Sequence, residues 1–200
     1  MKIFVSIFLT LAVMAAPLYA DQIVLAQLTH TTTTDDEANI DFDLNGMDFR
    51  YMTFGDDGLY LGAALSVASE EDEVCDETLC IDFDIKASAT TLEVGYNFDN
   101  PFTPFVSLVR SNVEIDFGVT GMGIGDTSDS ETNIGAGMWF GGDDRRLQLA
   151  FTGVDTEDPA VSLGGYTVVD NSLVLTGFIG TSTESAGDSW GLTIGLGWSF

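Results

Sequence analysis

The chain has 200 residues, 45% of them hydrophobic, and carries 32 acidic against 6 basic side chains, a formal charge of −26 at neutral pH. With no basic patch to meet phosphates, nucleic acid is excluded as a partner. Apolar residues this abundant and this regularly placed equally exclude a disordered acidic tail.

Met1-Lys2, the apolar run from Ile3 to Ala16 and the finish Pro17-Leu18-Tyr19-Ala20 have the form of a cleaved secretory signal peptide over 1–20. Cleavage after Ala20 would leave 180 of the 200 residues as one domain, 21–200. The apolar centre is shorter than the roughly 20 residues a spanning helix needs, and no later apolar run approaches that length. Any membrane insertion must therefore use strands.

The remainder alternates at period two. A first strand is expected over 22–34, with Ile23 and Leu25 on one face and the sole histidine, His30, near its far end; Asp35-Asp36-Glu37 then forms an acidic loop. A second, over 39–54, aligns Ile40, Phe42 and Leu44, then changes parity to Met47, Phe49 and Tyr51, which places a bulge at Asn45-Gly46. Gly55-Asp56-Asp57-Gly58 is a tight turn, and Leu59, Leu61, Ala63, Leu65 and Val67 make a third strand.

Glu70 to Glu77 reads as the densest acidic loop, with Cys75 and Cys80 at its far side. In an exported protein the favoured reading of this pair is a local disulfide. Zinc is not supported, because the spacing is not Cys-x-x-Cys and His30 is remote.

A fourth strand over 79–98 sets Ile81, Phe83 and Ile85 opposite Asp82, Asp84 and Lys86, then shifts near Thr90-Thr91 to Leu92, Val94, Tyr96 and Phe98. Its length suggests an outer half projecting beyond a membrane. The fifth runs from Phe105 to Phe117, apolar at odd positions, with Arg110, Asn112, Glu114 and Asp116 on the other face. Gly118 to Ser130 reads as a glycine- and aspartate-rich loop; its Gly121-x-Gly123-x-Gly125 is no nucleotide loop, since no helix follows.

Ile134 to Phe140, Leu147 to Phe151, 161–170 and Leu173 to Ile179 supply strands six to nine, with turns at 141–144 and 170–172 and an acidic loop at Asp155 to Pro159. A polar loop over 182–188 leads to the last strand. There Trp190, Leu192, Ile194, Leu196, Trp198 and Phe200 form one greasy face, while Gly191, Thr193, Gly195, Gly197 and Ser199 form a small one. Strands alternately joined by short turns and longer polar loops describe an all-β, single antiparallel up-and-down transmembrane barrel of about ten strands, or eight if the first or eighth segment is irregular. A water-soluble β-sandwich is the plainer alternative.

Thr193-x-Gly195-x-x-Trp198-x-Phe200 resembles the C-terminal assembly signal of bacterial outer-membrane β-barrel proteins. With the leader and the strand rhythm, the whole mature chain resembles the small opacity and porin-like group. That resemblance implies a Gram-negative outer-membrane protein with both termini periplasmic. It further implies contact with outer-membrane lipid and lipopolysaccharide, and passage through periplasmic chaperones and the barrel-assembly machinery. No peptidoglycan-binding domain is expected after Phe200. Aromatics beside the short turns (Phe54, Tyr60, Tyr96, Phe98, Phe102, Trp139, Phe140, Trp198, Phe200) read as an interfacial girdle.

The expected function is structural or surface-interacting, through displayed acidic loops; the alternative is a small cation-preferring channel or solute porin. Arg50, Lys86 and Arg110 are read as lumen-facing, paired with Glu93 and Glu114 and near Asp48 and Asp84, because a lone charge inside a narrow barrel is costly. Acidic runs can hold calcium or magnesium, which bridge lipopolysaccharide phosphates; the plainer reading is a solvated, self-repelling surface. No cofactor is expected. No Ser-His-acid set can be assembled around His30, so the chain is expected not to be an enzyme.

Overall fold

The computed structural model describes residues 21–35, 40–56, 58–76, 79–98, 101–119, 122–157, 159–170, 172–183 and 189–200. The leader expected over 1–20 lies outside the described residues. Ten strands follow in chain order: β1 (Asp21–Asp35), β2 (Ile40–Phe54), β3 (Leu59–Asp76), β4 (Leu79–Tyr96), β5 (Phe102–Val119), β6 (Met122–Gly142), β7 (Arg145–Thr152), β8 (Ala160–Asp170), β9 (Leu173–Ser182) and β10 (Ser189–Ser199). Each pairs antiparallel with its chain neighbours, and β10 pairs back onto β1 from Ile23↔Ser199 to Thr33↔Ser189. The sheet is thus a closed ten-stranded barrel without an edge, not an eight-stranded one and not a sandwich.

One end gathers the start of β1, the end of β10 and the short connections after β2, β4, β6 and β8. There Gly58 adopts φ +86°, and a Cβ on it would meet the Tyr96 ring at 2.7 Å, so only glycine suits that turn. At the other end the wall is uneven. β3, β4 and β5 have 18 residues and β6 has 21, whereas β7 to β10 have 8 to 11. A strand tilted about 45° crosses a bilayer in about 10 residues, so the remaining ~8 residues of the tall strands, at about 3.3 Å per residue along that tilt, rise roughly 20 Å above such a layer.

Those tall strands correct two expectations. Glu70 to Asp76 belongs to β3, paired with β4 down to Cys75↔Cys80, and Met122 onward belongs to β6, paired with β5. Neither segment is the long loop expected of its composition; the described parts of both continue a ladder.

The register also removes two expected irregularities. β2 pairs with β1 without a shift through Asn45-Gly46, where its unshifted ladder with β3 begins, and β4 pairs without a shift through Thr90-Thr91. Parity of the apolar residues nevertheless inverts along each strand. Low on β4, Leu92, Val94 and Tyr96 face outward and are about half exposed, with Glu93 facing inward; higher up, Ile85 faces inward and is buried while Lys86 faces outward. The backbone keeps its phase and the surroundings change, because a wall standing in water turns its apolar side to its own interior.

Outward residues of the lower half, among them Leu28, Leu108, Ile134, Leu163, Ile179 and Ile194, are exposed around the wall. The barrel's packed core lies inside, at the short-turn end: Ile23, Leu25, Met52, Phe54, Tyr60, Phe105, Trp139, Tyr166 and Val174 fill it from seven strands. Phe54, Tyr60 and Trp139 are therefore core, not girdle, since they lie at inward positions beside their turns. Tyr96, Phe98, Phe102, Trp198 and Phe200 do face outward. Tyr96 packs on Phe98 at 4.9 Å, and Phe102 on Phe140 at 5.6 Å, between ring centres.

Candidate functional site

The barrel interior is built in three levels. At the floor, Arg146 is 3% exposed and projects from β7 beneath the aromatic core. Its Nη1 donates to Thr103 Oγ1 at 3.0 Å and to Asn97 Oδ1 at 3.2 Å, its Nη2 faces Asp143 at 3.5 Å, and its Cζ lies 3.8 Å from the Phe54 ring centre. The guanidinium fork is thus shared between turn oxygens and a π face, which a lysine could not match.

Above it aromatic rings fill the interior. Trp139, fully buried, sits against Phe54, Tyr60, Tyr166 and Phe178, with ring centres 5.8 to 6.5 Å apart. Trp139 Nε1 donates to the Tyr60 hydroxyl at 2.9 Å, and that hydroxyl donates to Glu93 Oε2. Glu93 Oε1 faces Arg50 Nη2 at 3.7 Å, and Arg50 Nη1 donates to Gln148 Oε1 at 3.5 Å. The chain Trp139, Tyr60, Glu93, Arg50, Gln148 crosses the interior from β6 to β3, β4, β2 and β7. Each of these five side chains has a partner in the chain, although Arg50 Nε and Gln148 Nε2 are buried without one.

The third level opens upward. Ser66 Oγ donates to Asp48 Oδ2 at 2.6 Å, and Gln27 Nε2 donates to Thr176 Oγ1 at 3.2 Å. On the short side, Thr31, Thr152, Ser162, Ser182 and Ser189 border an open groove of about 220 Å³ near the rim.

Of the expected lumen charges, the structure brings together Arg50 and Glu93. Lys86, Arg110 and Glu114 are not in the lumen. All three are exposed at positions in phase with the outward Leu92, Val106 and Leu108, and Asp84 shares their side. The reason is the continuous register of β4 and β5: without a bulge, charges placed high on a strand share the face that carries lipid-facing residues lower down. Lys86 Nζ pairs with Asp84 and lies 3.6 Å from Asp116. Its hydrogen bond to Asp84, with the charge of Asp116 nearby, holds its ammonium above the usual lysine range. Arg110 lies level with Thr90 and Thr132, just above the outward Leu108 and Ile134.

Arg146 and Gln148 are absent from the sequence-derived set. The signal exists in the sequence: Leu147, Leu149 and Phe151 on one face of the seventh strand leave Arg146 and Gln148 on the other.

Thr193, Gly195 and Trp198 lie on the seam strand β10, with Trp198 outward and Gly195 inward opposite Gln27. Phe200 N donates to Gln22 O at 2.9 Å, extending the seam by one bond. Cys75 and Cys80 are direct partners in the β3–β4 register; their side chains lie outside the described residues.

No family model and no curated protein matches the chain. Among solved structures, Ail, the attachment invasion locus protein of Yersinia pestis, in complex with the heparin analogue sucrose octasulfate, aligns at 12% identity and TM-score 0.54, covering 91% of this chain and 99% of that one. Ail without that compound aligns at 13% identity with the same score. The β domain of the Bordetella autotransporter BrkA aligns at 11% identity and TM-score 0.53, covering 90% and 100%. The likeness is one of fold: this chain has the architecture of small outer-membrane β-barrels.

Proposed function

We propose that the chain is a Gram-negative outer-membrane barrel, closed to ions, that works as a structural element presenting the acidic upper wall of β3 to β6 to the outside. The observation that carries this reading is the floor: Trp139, Tyr60 and Phe54 are buried against one another across the bore, over an arginine bound on several sides. The outward apolar residues of the lower half fit a bilayer, where a barrel leaves no backbone polar group unpaired. In this reading residues 1–20 are the export leader, and the short-turn end and both termini are periplasmic.

The upper wall sets the chemistry of what it meets. Asp84 and Asp116 face each other in register on the outer side, with Glu114 beside them, against Lys86 and Arg110. Sucrose octasulfate, held by Ail, is a polyanion; a surface with this charge disfavours such a ligand and favours cations. Divalent ions bridging lipopolysaccharide phosphates are the natural candidates, beside basic partners.

Heat-modifiable migration of the refolded protein on a detergent gel tests the barrel in a membrane-mimetic medium, and planar-bilayer recording tests closure. Wild-type protein is expected to fold and stay silent, whereas Trp139→Ala should conduct. Steady cation-selective current through the wild type would instead establish the channel alternative.

A further inference from the structure

The single histidine does not stand alone. His30 and Thr32 of β1 face outward, and opposite them in register stand Asn45 and Asp43 of β2. His30 Nδ1 and Asn45 Oδ1 are 2.9 Å apart, and Thr32 Oγ1 lies 3.3 Å from His30 Nε2. Asn45 Nδ2 donates to the main-chain oxygen of Asp43 at 3.4 Å, which leaves Oδ1 as the atom presented to the imidazole and so assigns the Nδ1–H tautomer. The free Nε2 lone pair then faces Thr32 Oγ1, whose one proton is donated at rest to Asp43 and turns to Nε2 by rotation of the hydroxyl. Asp43 Oδ1 accepts from that hydroxyl at 2.7 Å and stands 3.9 Å from Nε2, close enough to stabilise an imidazolium. The Trp190 ring, edge-on at 5.6 Å, holds the imidazole from the β10 side.

We propose that His30 and Thr32 form an ester-hydrolysing site for glycerolipid acyl esters, with Thr32 as nucleophile and His30 as general base. A hydroxyl, a base within reach and a third group orienting the base are the requirements of acyl transfer, and all three are met on one face. The location supplies the substrate class. The site lies at the upper border of the outward apolar wall, directly above Leu28 and Met47 and level with Leu192, which are 41 to 60% exposed. In a bilayer that is the depth at which acyl chains meet their ester carbonyls. This step rests on the membrane reading above.

The reaction balances with water as co-reactant. Thr32 Oγ1 bonds to the ester carbonyl carbon as its proton passes to His30 Nε2; the alkoxy bond breaks, and the leaving alcohol takes that proton. Water then attacks the acyl-threonine, again through Nε2, releasing a fatty acid and restoring the hydroxyl. Asn45 and Asp43 are positioning residues: one fixes the tautomer, the other balances the imidazolium.

The test uses refolded full-length protein in mixed micelles with p-nitrophenyl laurate and with phosphatidylethanolamine, following acid release, while heat-modifiable migration reports folding of each sample. Wild type is expected to exceed His30→Gln and Thr32→Val by at least about 100-fold. Thr32→Ser should retain activity, and Asn45→Ala should lower kcat with KM unchanged. Equal rates for folded wild type, His30→Gln and Thr32→Val would overturn the proposal. Loss of heat-modifiable migration would instead count against the barrel reading. Release from the soluble ester but not from the phospholipid would keep the chemistry and refute the lipid substrate.

Discussion

Arg146 holds its guanidinium 3.8 Å from the centre of the Phe54 ring, distant from it in sequence and directly beneath it in the barrel. Arg146→Lys keeps the charge but not the fork that reaches Thr103 and Asn97 together. The loss of a desolvated cation–π contact and of hydrogen bonds to a charged donor should cost about 2 to 4 kcal/mol. Urea unfolding of the refolded protein in detergent measures it. A lysine variant as stable as wild type would show that the contact with Phe54 is incidental.

Glu93 and Arg50 form the charged centre of the interior. Arg50→Met alone leaves the Glu93 carboxylate buried beside Tyr60, and Glu93→Gln alone leaves the Arg50 cation facing an amide. Each should destabilise by about 3 to 5 kcal/mol, whereas the double variant should cost clearly less than the sum, since no charge is then stranded. A double-mutant cycle on unfolding midpoints gives the coupling; additivity would mean that the pair does not act as a unit.

How much of this was legible in the sequence follows from what period two can and cannot say. It gives alternation, so the strands, their order and the small inner face of β10 were readable. It does not give which face is inside, and there the surroundings decide. Arg110 and Glu114 alternate with apolar neighbours as faithfully as Arg50 does, yet they stand outside because β5 rises past the apolar belt without a bulge. Phe54 and Tyr60 flank a turn as Tyr96 and Phe98 do, and only their parity sends them inward. His30 was visible, but its partners Asn45 and Asp43 become neighbours only through the β1–β2 register, which an unneeded bulge at Asn45-Gly46 would have displaced.

Lys86 stands between two carboxylates that the register sets face to face, Asp84 of β4 and Asp116 of β5. Opposed like charges weaken a strand pair, and the ammonium offsets this. Lys86→Gln should therefore speed amide hydrogen exchange in the upper parts of β4 and β5, leave the lower barrel unchanged, and lose its effect at high salt. The Lys86 ammonium is held above its ordinary range, so its contribution is fully present below the unfolded lysine pKa and disappears as pH rises through the folded value. Protection should accordingly be flat through neutral pH and fall only in strong alkali.

Gly195 shows why one face of the closing strand is small. A Cβ built there would meet Ala26 O at 2.4 Å and both Cα and Cγ of Gln27 at 2.7 Å, so the inner side of the seam is already occupied by β1. The obstacle is backbone as well as side chain, and it cannot yield without parting Gln27 from its register partner. Gly195→Val should thus open the β1–β10 seam locally, whereas Ile194→Val, an outward change on the neighbouring residue, should be tolerated. Refolding into lipid vesicles followed by unboiled electrophoresis separates the two outcomes: a reduced folded band for Gly195→Val and a near wild-type band for Ile194→Val. Equal folding of both variants would mean that the seam does not set the size limit on this face.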